Sequence, residues 1–381
     1  MKFIDEFRDR ELAHGLAAAI GRAAQPQRDY QFMEFCGGHT HAIARYGVSD
    51  LLPANVRMIH GPGCPVCVLP IGRIDMAIRL AVDAGVILCS YGDPLRVPAS
   101  GGLSLLRAKA ALGGSGDIRM VYSAADALRL ARENPQRQVV FFAIGFETTT
   151  PPTAVVIRQA QALGLKNFSV LCCHVLTPAA IASILESPRV RQWGSVRIDG
   201  FIGPAHVSTI IGSRPYEFFA AEYRKPVVIA GFEPLDVMQA ILMLIGQVNA
   251  GRAVVENEFA RAVTRDGNRK AQQLVAEVFE LRRSFAWRGL GELPYSALRI
   301  RSDFADFDAE RRFPISYQAV PDHPACECGA VLRGARRPQD CRIFGSVCTP
   351  ENPVGSCMVS SEGACAAHYS FGRFADAAVA P

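Results

Sequence analysis

Aromatic residues make up only 8% of this 381-residue chain, with two tryptophans among them. Few sit in strand-like runs, so no base-stacking platform for nucleic acid is visible. Charge of one sign is also scarce. The 41 basic and 36 acidic residues leave +5, spread along the chain, which argues against a nucleic-acid partner. Long apolar runs are missing too. Residues 139–144 and 241–245 are among the longest, far short of the ~20 needed to span a bilayer, so no membrane association is expected. The opening MKFIDEFRDR carries acids and no apolar stretch behind a basic start, and the expected location is cytoplasmic. There is no P-loop, no GxGxxG and no C-x3-C-x2-C, so nucleotide and radical-SAM chemistry lack their usual fingerprints.

Cysteine, by contrast, is concentrated. Six of the twelve fall between positions 326 and 365 in the pattern C-x-C-x12-C-x6-C-x8-C-x7-C. In a reducing compartment that density points to a metal or redox site rather than a disulfide scaffold. Thiolates select Fe–S clusters, zinc or Cu(I). A cubane needs four thiolates and six are present; a zinc-stapled tail is the structural alternative.

From about residue 31 to 245, short apolar runs alternate with helical periodicity. The runs are 32–35, 56–59, 86–89, 139–144, 168–173, 198–202 and 227–230. The helical stretches are 74–82, 124–131, 154–163, 178–185 and 235–248. That rhythm predicts an α/β fold with right-handed crossovers, and so many strands favour two small parallel sheets over one large one. A faint echo links VVFFAIGFETTTPP and VVIAGFEPLD, with Gly145 and Glu147 matching Gly231 and Glu233. The expected division is 25–140 as one α/β domain, 141–248 as a second, and 1–24 with 249–381 as a helical, cysteine-rich unit. Within the last, 1–24 reads as one amphipathic helix. Residues 250–294 read as helical, with Phe259, Val263, Leu274, Val278 and Leu281 as a buried stripe.

Ligands in open parallel sheets sit beyond the carboxyl ends of strands. Those ends carry Cys36 and His39, Cys64 and Cys67, Asp93, Glu147 with Thr148, His174, His206 and Glu233. In CGGHTH (36–41), a cysteine at a helix start can be held as thiolate, with His39 and His41 as ligand, base or donor. The plain alternative is a tight turn with a packing cysteine. GPGCPVC (61–67) places Cys64 and Cys67 as a dithiol for exchange, as half a zinc site, or as a structural turn. Asp93 and Arg96 orient a substrate or only shape a turn before Pro94. Glu147 is a general base or a helix-terminal carboxylate. His174 and His206 read first as structural, and Cys89, Cys172 and Cys173 as small buried hydrophobes.

CGGHTH, GPGCPVC, GFETTTPPTA (145–154) and the tail DCRIFGSVCTPENPVGSCMVSSEGACAA, in that order over nearly the whole chain, resemble the HypD family of nickel–iron hydrogenase maturation. The resemblance implies two similar α/β domains plus an Fe–S domain. It implies an iron-binding redox scaffold on which the Fe(CN)2CO group is assembled, with a HypC-type small chaperone and HypE as cyanide donor. On this sequence Cys36 would hold the additional iron carrying CN and CO, with His39 close by. Cys64 and Cys67 would exchange electrons, Cys326, Cys341, Cys348 and Cys365 would ligate a [4Fe–4S] cluster, and Cys328 with Cys357 would form a redox pair beside it. Glu147 is a further expected proton-handling group. The competing expectation is a free-standing thiol–disulfide oxidoreductase with an Fe–S relay.

Overall fold

Parallel strands sort into two sheets, and the chain visits them out of order. The computed structural model describes residues 4–111, 116–186 and 197–372. Strands β1 (Tyr30–Glu34) and β2 (Val56–His60) belong to the first sheet. The next four, β3 (Ile87–Ser90), β4 (Asp117–Met120), β5 (Val139–Gly145) and β6 (Phe168–His174), form the second. The chain then returns to the first with β7 (Gly200–Gly203), β8 (Val227–Ile229) and β9 (Val255–Asn257). The orders are β2-β1-β7-β8-β9 and β4-β3-β5-β6, with every pairing parallel. Counted by appearance within each sheet these read 2-1-3-4-5 and 2-1-3-4. Both are doubly wound orders whose strand direction of progression reverses beside the first strand.

This is the α/β class the alternation predicts, with two parallel sheets. The strands do not follow the contiguous ranges 25–140 and 141–248, however. β3 and β4 pair beside β5 and β6, whereas β1 and β2 complete their sheet with strands beyond residue 200. The echo also changes meaning. GFE follows β5, third in its sheet, but the matching segment follows β8, fourth in the other, so the likeness does not mark equivalent positions.

Fully buried parallel strands read as continuous apolar runs, and β5 and β6 are buried at every position. In β1 the two faces separate. Tyr30 and Phe32 join the cluster under helix Pro234–Asn249, and Met33 and Phe35 join the large cluster that spans both sheets. Helix Arg10–Ala23 packs on helix Pro234–Asn249. It is preceded by a short 3-10 turn, Asp5–Phe7, rather than running unbroken from the first residues.

Residues 250–294 depart further from expectation. One helix, Arg269–Val278, gives way to strands β10 (Phe279–Leu281), β11 (Ser284–Trp287), β12 (Gly291–Pro294) and β13 (Leu298–Ile300), which pair antiparallel as β10–β13 and β11–β12. Val263 and Val278 are buried as the stripe predicts, but Leu281 is 50% exposed. At Phe279 the period changes from helical to alternating, and Leu281 falls off the face. The cysteine tail contains helices Cys328–Leu332 and Ala364–Phe371 joined by irregular chain.

Candidate functional site

The carboxyl ends of both sheets open onto one cleft of about 470 Å³. At the first sheet's reversal point, between β1 and β7, it is lined by Cys36 and His206. At the second's, between β3 and β5, it is lined by Asp93 and Thr149. Glu362 of the tail closes one side. Two switch points therefore face the same space, and each contributes polar groups to it.

Cys36 caps helix Gly37–Arg45 directly after β1. Its loop is fixed from below by Glu34, the last residue of that strand and fully buried. The Glu34 carboxylate accepts the Cys36 backbone N–H at 3.0 Å, His60 Nδ1 at 3.0 Å and the Thr40 hydroxyl. A buried carboxylate without such donors would be costly; here three donors surround it. Gly63 supplies the close approach, since a Cβ there would lie 2.5–2.7 Å from the backbone atoms of Cys36. The Gly37 N–H also donates to Gly63 O at 3.0 Å.

The helix start does not make this thiol acidic. Burial, and then the charge of Glu362, push it well above the usual thiol range, and the amides of Gly38 and His206 only partly oppose them. The N-terminal amides are outweighed by lost solvation. Glu362 is itself raised, first by burial and then by Asp93 and Glu34.

His39 lies on the first turn of the same helix, but its ring points to the end of β8. Nε2 donates to the carbonyls of Ala230 and Gly231, both at 3.0 Å, and Nδ1 is buried with no hydrogen-bond partner. Burial lowers its pKa, so the ring is neutral with its Nδ1 lone pair free. His206 packs edge-on against Phe232 at 4.2 Å, and His39 flanks the same ring at 5.0 Å. His41 instead faces the tail, with Nδ1 3.3 Å from Ser361 O.

Cys64 and Cys67 are joined as a disulfide with Cα atoms 5.2 Å apart, and they are 2% and 0% exposed. The tail rests directly on this bridge. Ser356 Oγ donates to Cys67 O at 2.6 Å, and a Cβ on Gly363 would lie 3.0 Å from Cys67 Sγ. Arg96 adds carbonyl contacts to Pro350 and Val359.

The six tail cysteines form one group. Cys328 makes thiol–thiol contacts with Cys326, Cys357 and Cys365, and Cys357 also meets Cys365. Cys348 lies within electrostatic reach of Cys326 and Cys341. The hydrogen bond with Cys328 draws Cys326 down to about 7 and pushes Cys328 up. Among the described residues no three His, Cys, Asp or Glu side chains are arranged as a ready ligand set. The donors fit an Fe–S cluster in kind, being soft thiols and more than four in number.

Glu147 is turned out of this arrangement. Its carboxylate accepts the Thr177 N–H at 2.8 Å and the Thr177 hydroxyl at 3.0 Å, capping helix Thr177–Glu186. Burial raises its pKa to about 7. It does not line the cleft, whereas Thr148 and Thr149 do. Glu233 caps helix Pro234–Asn249 and pairs with Arg8. His174 is bonded to Thr149 and Thr153 at 3.2 and 3.0 Å, a structural role. Cys89, Cys172 and Cys173 are buried in strands.

Sequence reasoning did not single out Glu34, Thr40, His60, Ser356 or Glu362. A carboxylate ending an apolar run just before CGGHTH was an available signal for Glu34, and a lone acid between tail cysteines was one for Glu362.

Comparison with known proteins agrees with these motifs. Residues 11–372 match the family described as HypD, "Hydrogenase formation hypA family". The chain is 72% identical over 376 residues to the hydrogenase maturation factor HypD of Cupriavidus necator, covering 99% of this chain and 98% of the relative. It is 51% identical to that of Rhodobacter capsulatus, covering 98% of each. With the Escherichia coli protein of the same name the identity is 46%, over 97% of this chain and 98% of the relative. No helix among the described residues is long and apolar enough to cross a membrane.

Proposed function

The chain belongs to the HypD family of hydrogenase maturation factors, and from that premise we propose that its cleft is the place where an Fe(CN)2CO unit is assembled as cargo. The observation that carries the reading is the meeting of Cys36, His206, Asp93 and Glu362 at two facing switch points, in a cleft also lined by Gly63, Pro65 and Val66 of the loop that carries the Cys64–Cys67 bridge. Cys36 is the iron-holding thiol. To ligate, it gives up its proton, and Glu362 with Asp93 are the groups beside it that can take and pass protons. The enclosed site limits water around a reactive iron, and the open side of the cleft admits a HypC-type chaperone carrying a second thiol, with cyanide delivered by HypE.

Reduction of the Cys64–Cys67 bridge takes two electrons and two protons, breaks one S–S bond and yields two thiols on a loop whose Gly63, Pro65 and Val66 line the cleft. Cys326, Cys341, Cys348 and Cys365 are the residues that would hold a [4Fe–4S] cluster, with Cys328 and Cys357 as a thiol pair against it. Such a cluster supplies single electrons at low potential. The near-complete burial of Cys64 and Cys67 disfavours a free-standing oxidoreductase, which needs an exposed attacking thiol.

Anaerobic purification of wild type and Cys36→Ala, with iron analysis and infrared spectra, tests the reading. Cyanide and carbonyl bands present in wild type and absent in the variant, with tail iron unchanged, are expected. Identical bands in both proteins would sink the assignment of Cys36.

A further inference from the structure

Two glycines open the CGGHTH loop to residues from distant parts of the chain. A Cβ on Gly37 would collide with Glu362, and one on Gly38 would lie 2.5–3.0 Å from the ring of Phe232. Without those side chains the tail acid and the residue that follows β8 both close on Cys36. Phe232 belongs to the GFE segment at 231–233. Its ring is flanked by two histidines, His39 at 5.0 Å and His206 edge-on at 4.2 Å.

The two imidazoles are used differently. His39 is buried, and its Nε2 is spent on the carbonyls of Ala230 and Gly231, so it fixes the turn that presents Phe232. His206 is exposed and lines the cleft. Its ring packs on Phe232 and makes no hydrogen bond among the described residues, whereas His41, His60 and His174 are all bonded. The His206 backbone N–H donates to the Cys36 sulfur, so this is the histidine that stands beside the thiol. Packing therefore holds an imidazole next to Cys36 with its polar edge unspent.

A neutral imidazole carries one N–H, and that donor needs an acceptor. In an Fe(CN)2CO unit the cyanides are anionic, with a lone pair on the outer nitrogen, whereas the carbonyl oxygen is a poor acceptor. Asp93 and Glu362 on the cleft wall cannot donate when ionised, and Thr149 spends its hydroxyl on Phe146 O at 2.9 Å. We propose that His206 donates a hydrogen bond to the nitrogen of a cyanide on the iron held at Cys36, with Phe232 fixing the ring for that contact. Hydrogen bonds to an anionic acceptor are among the strong ones, so His206 gives its position on the iron a preference for cyanide over carbon monoxide. The proposal rests on the reading of the cleft as the assembly site.

The test uses the full chain, purified anaerobically with its cargo, as wild type, His206→Leu and His206→Gln. Infrared spectra read the diatomic ligands, and iron analysis reads occupancy. In His206→Leu the cyanide bands should shift, the carbonyl band should move less, and cleft iron should wash out about ten-fold faster. His206→Gln, whose amide N–H also donates, should stay close to wild type on both counts. Equal tail iron in all three excludes misfolding. Loss of cleft iron from His206→Leu alone would also support the hydrogen bond. Cyanide bands unmoved in His206→Leu would overturn it, and so would equal loss of cleft iron from both variants, because a donor at this position would then not suffice. A wild type without cyanide or carbonyl bands would instead sink the assembly reading, and this contact with it.

Discussion

Two groups of cysteines meet in this molecule, and they are held in opposite ways. Cys36 and the Cys64–Cys67 bridge sit on loops between strand ends and helix starts, where Glu34, Gly61 and Gly63 are bonded to one another and to the amides of Cys36 and Gly37. Of the tail cysteines, Cys328 and Cys365 sit on short helices of five and eight residues, Cys357 sits on a 3-10 turn, and the other three lie outside helices. The tail is tied to the body by Ser356 on Cys67, Arg96 on Pro350 and Val359, and His41 on Ser361, and Met358, Val359 and Ala366 join the main core cluster. One group is shaped by hydrogen bonds at strand ends. The other gathers its thiols on short helices and irregular chain, so its order should depend more on what those thiols bind.

Removing iron is the strongest way to break that comparison. After anaerobic chelation, limited proteolysis should cut within 341–356 at least about ten-fold faster, because ligation no longer stabilises the closed tail. The 36–67 loops should keep their resistance. Equal acceleration in both regions would mean that the loops also depend on the tail's metal.

Gly63→Ala attacks the scaffolded side. The added methyl would meet Cys36 backbone, which has no flexible end to yield. We expect a stability loss of about 3 kcal/mol in denaturant unfolding and loss of iron at Cys36, with tail iron retained. A variant with normal iron in the cleft would show that the loop adapts.

Glu147→Gln gives the smallest effect and sharpens the boundary of the site. Its folded pKa of about 7 lies above the ordinary 4.5, so between those values the folded state holds a proton that the unfolded chain releases. Stability from this group is therefore present at low pH and lost as pH rises through 7, by about 3 kcal/mol. Urea midpoints should show that slope in wild type and a flatter one in the variant, with iron loading unchanged. Loss of cleft iron in Glu147→Gln would return this residue to the site.

The sequence made most of this legible at strand ends. Central strands such as β5 and β6 announce themselves as unbroken apolar runs, and the loops after β1 and β2 carry their cysteines in view. β4 and β9 escaped because they are edge strands, DIRM and VEN, whose charges suit an exposed sheet border rather than a core. Which strands share a sheet was not readable, since parallel pairing is set by crossovers and leaves no mark in the local pattern. The helix-start argument for a Cys36 thiolate failed for a related reason. The helix is visible in sequence, but the burial that outweighs its amides, and Glu362 arriving from more than 300 residues away, are not.

The interleaving of the sheets also sets an order of events during synthesis. The inner sheet, β3 to β6, is complete once residue 174 has left the ribosome. β1 emerges long before that, but its neighbour β7 does not follow until residues 200–203. Domains form as their chain becomes available, so the nascent protein closes from the inside out. The pocket that surrounds Cys36 is among the last parts to close, after the inserted sheet is already in place to receive it.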